Sequence, residues 1–203
     1  MVNNKLHDRI KKIFKDKLNE NVLEINCIVK RRQAYKVTCK EKIFRIDLEK
    51  RYLQNINEHI LAFNSGINVA KILYYSIDPP CKISEWIDGY VIKTATNEIA
   101  AKFGEQIGKI NSIKKDDLFL TFEDAKKRNM VLTPDKKFYI IDIGGLKYSK
   151  SVVSSVVICL LWRRGIIKNR PKKIDLFLLE YSKYCGNTKI VTIIKNELNN
   201  RNK

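Results

Sequence analysis

Histidine is almost absent from this chain. His7 and His59 are the only two among 203 residues, so nucleophilic or acid-base schemes built on imidazole have little material. Cys27, Cys39, Cys81, Cys159 and Cys185 are odd in number, scattered, and without C-x-x-C spacing or a histidine cluster nearby. That pattern excludes a zinc site of the usual kind and reads as a reduced, cytoplasmic chain. No stretch approaches the ~20 apolar residues of a spanning helix. The N-terminal residues are amphipathic and charged, with no apolar core and cleavage site of a secretory signal. The expectation is a soluble or at most peripheral protein, without internal repeats or low-complexity segments.

Basic residues are plentiful. Lys and Arg number 40 against 22 acidic residues, a formal charge of +18. Such a balance favours anionic partners such as nucleotides, nucleic acid or phosphorylated glycolipid. An AT-rich coding bias toward Lys, Asn and Ile explains it equally well, so charge alone selects no substrate. The length suits one domain or two small lobes with a buried core.

Periodicity orders the chain. Leu6, Ile10, Ile13, Phe14 and Leu18 predict an amphipathic helix over about residues 4 to 19. Three antiparallel strands follow at 22–29, 34–39 and 43–48. Leu53, Ile56, Ile60, Leu61 and Phe63 predict a helix over about 50 to 64 that stops at Ser65-Gly66. A strand over 66–75, a turn at Asp78-Pro79-Pro80 and a strand over 82–89 come next. Ile99, Phe103, Ile107 and Ile110 predict a core-facing helix over about 97 to 112, capped by Thr96 or Asn97. The apolar run 152–162 reads as a buried helix, and 174–184 and 188–198 as two last helices separated at Gly186. Arg163-Arg164 and Lys168 to Lys173 make a basic patch, a candidate for peripheral membrane or nucleic-acid contact.

The chemistry-bearing stretch is Thr121 to Gly145, T-F-E-D-A-K-K-R-N-M-V-L-T-P-D-K-K-F-Y-I-I-D-I-G-G. Two short apolar strands joined by the turn Thr133-Pro134-Asp135-Lys136 would bring Asp124, Asn129 and Asp142 to one edge of a hairpin. Magnesium takes hard oxygen ligands, usually one or two carboxylates plus phosphate oxygens and water, so Asn129 and Asp142 suit it. Asp124 would orient an attacking hydroxyl and accept its proton, and Lys126 would neutralise charge on a transferred phosphoryl group.

The stretch resembles the catalytic hairpin of the protein-kinase-like superfamily, in which D-x-K-x-x-N-x-hydrophobic-L is followed by hydrophobic-D-x-G. The resemblance implies an α+β, two-lobed fold with ATP and Mg2+ in the cleft, residues 1–88 forming the small lobe and 89–203 the large one. Tyr35 to Asp47 is similar to the second and third strands of bacterial choline kinases and aminoglycoside phosphotransferases. In that register Arg45 takes the place of the phosphate-binding strand lysine, and Glu58 that of the helix glutamate that holds it. Main-chain groups near Glu85, Trp86 and Ile87 would meet adenine. The chain departs from protein kinases in three places. Lys30-Arg31-Arg32-Gln33 stands where they carry a glycine-rich loop, Phe122 replaces the usual histidine, and Glu123 replaces the arginine that reads activation-loop phosphorylation.

The resemblance implies an ATP-dependent phosphotransferase acting on a hydroxyl-bearing acceptor. I-I-D-I-G-G is also similar to lipopolysaccharide core heptose kinases, which favours a sugar, glycolipid or other small alcohol. A compact serine/threonine protein kinase stays open as a second reading. The missing glycine loop and Arg45 keep a third open, a pseudokinase or nucleotide-binding scaffold.

Overall fold

The computed structural model describes residues 4–29, 33–161, 167 and 170–201. The turn residues Lys30, Arg31 and Arg32 lie outside the described residues, as do Arg163, Arg164, Lys168 and Asn169 of the basic patch. The chain forms two compact units, Met1–Ile56 with Ala70–Trp86, and Asn57–Val69 with Ile87–Lys203.

The first unit is a five-stranded antiparallel sheet with one helix. Helix α1 (Asn4–Leu18) leads into strands β1 (Val22–Val29), β2 (Ala34–Cys39) and β3 (Ile43–Asp47), and β4 (Ile72–Ser76) and β5 (Cys81–Glu85) complete the order β1-β2-β3-β5-β4. Strand alternation gives the sheet two unlike faces. Val37, Phe44, Ile46 and Ile83 bury one face against Ile10 and Phe14 of α1, with the Phe14 and Phe44 rings edge-on at 5.3 Å. The opposite face carries Lys36, Arg45, Asp47, Lys82 and Ser84, with Arg45 opposite both Lys36 and Ser84, and Asp47 opposite Lys82.

The second unit begins with α2 (Ile56–Asn64), all but its first residue, and continues through β6 (Tyr90–Val91), α3 (Asn97–Ser112), β7 (Lys114–Lys115) and β8 (Leu118–Phe122). It then runs through β9 (Met130–Leu132), β10 (Phe138–Ile140), β11 (Leu146–Ser149), α4 (Val153–Leu161), α5 (Pro171–Tyr184) and α6 (Thr188–Arg201). Two small antiparallel sheets form, β10-β9-β6 and β11-β8-β7. Thr96 caps α3, its hydroxyl accepting from the Ile99 N–H at 3.2 Å. Phe103, Ile107 and Ile110 are buried on one side of α3, and each contributes roughly 1.5–3 kcal/mol. Helices α3 and α5 cross with backbones in contact: a Cβ on Gly104 would stand 2.1 Å from the Phe177 carbonyl oxygen.

Several predicted spans shift. The helix expected over 50–64 is broken into a 3-10 turn, Lys50–Leu53, and α2. The strand expected over 66–75 begins only at Ile72, because Asn68 and Val69 are used elsewhere: the Ile140 N–H donates to the Asn68 carbonyl at 3.0 Å, and Val69 bridges Ile140 in parallel. Residues 57–69 therefore cluster with the second unit, and the boundary after β5 falls at Trp86. Helix α5 starts earlier than expected, with Pro171 in its first turn, where a missing N–H costs nothing. The apolar run is a helix, α4, with Val156, Val157, Cys159 and Leu160 fully buried. Among the described residues no helix is long and apolar enough to cross a membrane.

Buried Asn111 ties three elements of the second unit together. Its Nδ2 donates to the Leu120 carbonyl of β8 at 2.8 Å, and its Oδ1 accepts from the Tyr181 hydroxyl of α5 at 3.1 Å. Asn111→Ala leaves two buried partners unsatisfied and is expected to cost about 2–4 kcal/mol in urea unfolding, whereas Tyr181→Phe, which keeps the bond to Leu120, should cost about 1 kcal/mol. Equal losses for the two variants would show that the asparagine is not the junction.

Candidate active site

Two strand pairs bring the motif together. Phe122, the last residue of β8, faces Leu146, the first of β11, and the Glu123 N–H donates to the Gly145 carbonyl at 3.2 Å. On the other side the β9–β10 ladder pairs Met130 with Ile140, and the Ile141 N–H donates to the Asn129 carbonyl at 2.8 Å. Segments 123–129 and 141–145 are thus tied at both ends, which holds the Asp124 and Asp142 loops side by side. The far end of the hairpin closes through Thr133, whose N–H donates to the Lys137 carbonyl and whose Oγ1 accepts from the Lys137 N–H, both at 3.0 Å.

Within the loops the side chains are already organised. The buried Asn129 amide donates from Nδ2 to the Asp124 carbonyl at 3.2 Å and to Asp124 Oδ2 at 2.9 Å. These two acceptors assign the amide orientation and direct Oδ1 away from Asp124. Lys126 Nζ stands 2.7 Å from Asp124 Oδ1. That oxygen is buried and accepts no aligned hydrogen bond, so the approach is an ion contact. Asp142 Oδ1 accepts from the Gly144 N–H at 3.3 Å, which folds the carboxylate over its own loop. Gly145 lies directly against Asp124: a Cβ there would come 2.7 Å from the Asp124 nitrogen and 2.8 Å from its Cβ.

The donor chemistry fits magnesium. Asn129 Oδ1 and the Asp142 carboxylate are hard oxygens at the open end of one hairpin. Among the described residues no cluster of three His, Cys, Asp or Glu side chains forms an all-protein cage. A two-residue protein contribution completed by phosphate and water is the usual magnesium arrangement.

The other predicted residues are distributed over both units. Arg45 lies on β3, its guanidinium paired with Asp47. Glu58 stands on α2 in the second unit, where its charge, after burial, helps raise the Tyr148 hydroxyl above its ordinary range. Glu85 ends β5, its N–H donating to the Lys71 carbonyl at 3.0 Å and its Oε1 accepting from the Lys71 N–H at 2.9 Å. The Trp86 N–H donates to the Ile43 carbonyl at 3.2 Å, and Lys36 Nζ lies 4.8 Å over the Trp86 ring. The amides of Glu85 and Trp86 are therefore spent on the sheet. His59 is buried in α2, and all five cysteines are free thiols. Burial pushes the Cys81 thiol up to about 11, which keeps it protonated at neutral pH.

Sequence reasoning missed five contributors. Gly145 was visible only as one of a glycine pair, and nothing local says which of the two meets Asp124. Ser155 Oγ and Cys159 Sγ of α4 both donate to the Phe122 carbonyl, at 3.0 and 3.1 Å, and so anchor the strand that delivers Asp124. Asp47 meets Arg45 from two residues on along the same strand face, and cross-strand register adds Lys82.

A helix-capped antiparallel sheet followed by a mostly helical unit is a fold that this chain shares with solved phosphotransferases. The choline kinase LicA from Streptococcus pneumoniae matches with a TM-score of 0.64 at 13% identity, over 96% of this chain and 88% of that one. Plasmodium vivax ethanolamine kinase matches with a TM-score of 0.75 at 11% identity, over 98% of this chain and 79% of that one. A spectinomycin phosphotransferase in complex with ADP and spectinomycin matches with a TM-score of 0.68 at 12% identity, over 92% and 84%. No protein-family model and no curated protein matches the sequence.

The two glycines after Asp142 differ in surroundings, and substitution should separate them. A Cβ on Gly144 meets only Asp142 Oδ1, at 3.4 Å, an ordinary contact. Gly145→Ala is expected to lower unfolding stability by about 1–3 kcal/mol through overpacking against Asp124, and Gly144→Ala by less than about 0.5 kcal/mol. Urea titration of both variants checks this, and the reverse order would contradict the packing described.

Proposed function

We propose that the chain is an ATP- and magnesium-dependent phosphotransferase that moves the γ-phosphate to the hydroxyl of a small alcohol, sugar or glycolipid. The observation that carries this reading is the junction of Asp124, Asn129 and Asp142. The two loops at the open end of one hairpin are locked together by ladder hydrogen bonds, and the Asn129 amide is bonded to the Asp124 carboxylate.

Asp124 is the acceptor's base. Its carboxylate is held from two sides, by Asn129 at Oδ2 and Lys126 at Oδ1, so it meets an incoming hydroxyl without reorienting. As the hydroxyl oxygen bonds to the γ-phosphorus, the bond from that phosphorus to the β,γ-bridging oxygen breaks. ADP leaves, and the hydroxyl proton passes to Asp124. Lys126 offsets negative charge on the group in flight. Asn129 Oδ1 and the Asp142 carboxylate would hold Mg2+, which supplies charge neutralisation at the phosphates when bound. Arg45 belongs to the phosphate-binding group. A small-molecule acceptor is supported by the neighbours, whose names specify choline, ethanolamine and spectinomycin.

Two variants test the assignment. Asp124→Ala removes the base but neither proposed metal ligand, so nucleotide affinity should stay within a few-fold while turnover falls ~10²–10⁴-fold. Asp142→Asn should abolish magnesium-dependent nucleotide binding, because an amide lacks the charge the ion needs. ATP consumption screened against aminoalcohols, aminoglycosides and lipopolysaccharide fragments, with titration calorimetry for binding, reads both. Unchanged turnover in a folded Asp124→Ala protein would sink the enzyme reading in favour of a scaffold.

A further inference from the structure

Asp47 has no exposed surface, yet it is an acid on a sheet face. Strand alternation sets it on the same side as Arg45, two residues earlier, and the β3–β5 register sets Lys82 directly opposite. Arg45 donates from Nε to both carboxylate oxygens, at 3.0 and 3.1 Å, and from Nη2 to Oδ1 at 2.9 Å. Lys82 Nζ lies 3.3 Å from Oδ2. The Tyr52 ring, in the turn after β3, sits beneath both cations, 5.6 Å from the Arg45 guanidinium carbon and 5.3 Å from Lys82 Nζ. One short carboxylate and one ring therefore set the position of two cations on adjacent strands.

We propose that Asp47 is the positioning residue of the strand cation Arg45, and that Lys82 is a second cation held on the same carboxylate to contact the same nucleotide phosphates. This inference rests on the phosphotransferase reading above. The argument is energetic. A buried ionic cluster is commonly no more stable than apolar packing of the same volume, and this one sets two cations on a single carboxylate, an excess of positive charge that suits an anionic ligand. The geometry is also directional: a guanidinium bonded along its Nε–Nη2 edge has its plane fixed, which lowers the ordering cost of meeting an anion. Lys82 adds a compact point charge suited to a phosphate. The glycine-free turn Lys30 to Gln33 gives this arrangement a purpose, since side-chain cations on the sheet supply charge that a glycine loop's amides would otherwise provide.

The test compares ADP with adenosine binding by titration calorimetry on the full chain. Lys82→Met should weaken ADP about 10- to 100-fold and leave adenosine within about twofold, and Lys82→Arg should restore most of the loss. Asp47→Asn should weaken ADP similarly, and Asp47→Asn/Lys82→Met should be little worse than either single change. A merely structural role would lower both affinities together, and that result overturns the inference. So does ADP binding by a folded Lys82→Met protein at wild-type strength, which leaves the phosphotransferase reading intact. Failure of the wild-type protein to bind either ligand overturns that reading and this inference with it.

Discussion

Backbone hydrogen bonding around two short loops is the constraint on which the rest of the second unit depends. The loop carrying Asp124 and the loop carrying Asp142 are each pinned where they leave a strand, Glu123 to Gly145 on one side and Asn129 to Ile141 on the other. The strands are in turn held by apolar burial: Met130, Phe138, Ile140, Leu120 and Phe122 all belong to one core with α3, α4 and α5. The position of a charged site is thus set by the packing of uncharged residues beneath it.

The first unit solves a different problem with the same periodicity. A sheet whose two faces were both apolar would need cover on both. Here α1 covers one face through Ile10 and Phe14, while the other holds cations around Asp47. The burial of Asp47 is tolerable only because its oxygens are met by charged donors, and removing those donors would leave an uncompensated ion in an apolar sheet. Ionic contacts on exposed surface, such as Lys137 with Asp135 or Arg201 with Glu197, carry no comparable weight.

The hairpin is legible in the sequence because its signals are local. D-x-K-x-x-N followed by three apolar residues, a Thr-Pro turn and another apolar run leaves few arrangements other than a strand pair with Asn129 and Asp142 at its open end. The cap of α3 at Thr96 and the burial of the run after Ser151 were local in the same sense. The break in the helix after Lys50 and the late start of β4 were not. At the second place Asn68 and Val69 yield to a partner elsewhere, pairing with Ile140.

Period and motif spacing determined by themselves the early antiparallel strands, the core-facing helices and the hairpin that carries Asn129 and Asp142 at its open end, since each of those features is written in a short local window. Tertiary structure alone decided which glycine lies against Asp124, and which lysine joins Asp47 from the neighbouring strand. It also decided that α4 rather than a neighbouring segment anchors Phe122. Those choices depend on cross-strand register and on helix approach distances, which arise from the packing of residues far apart in the chain and leave no mark on any local window of it.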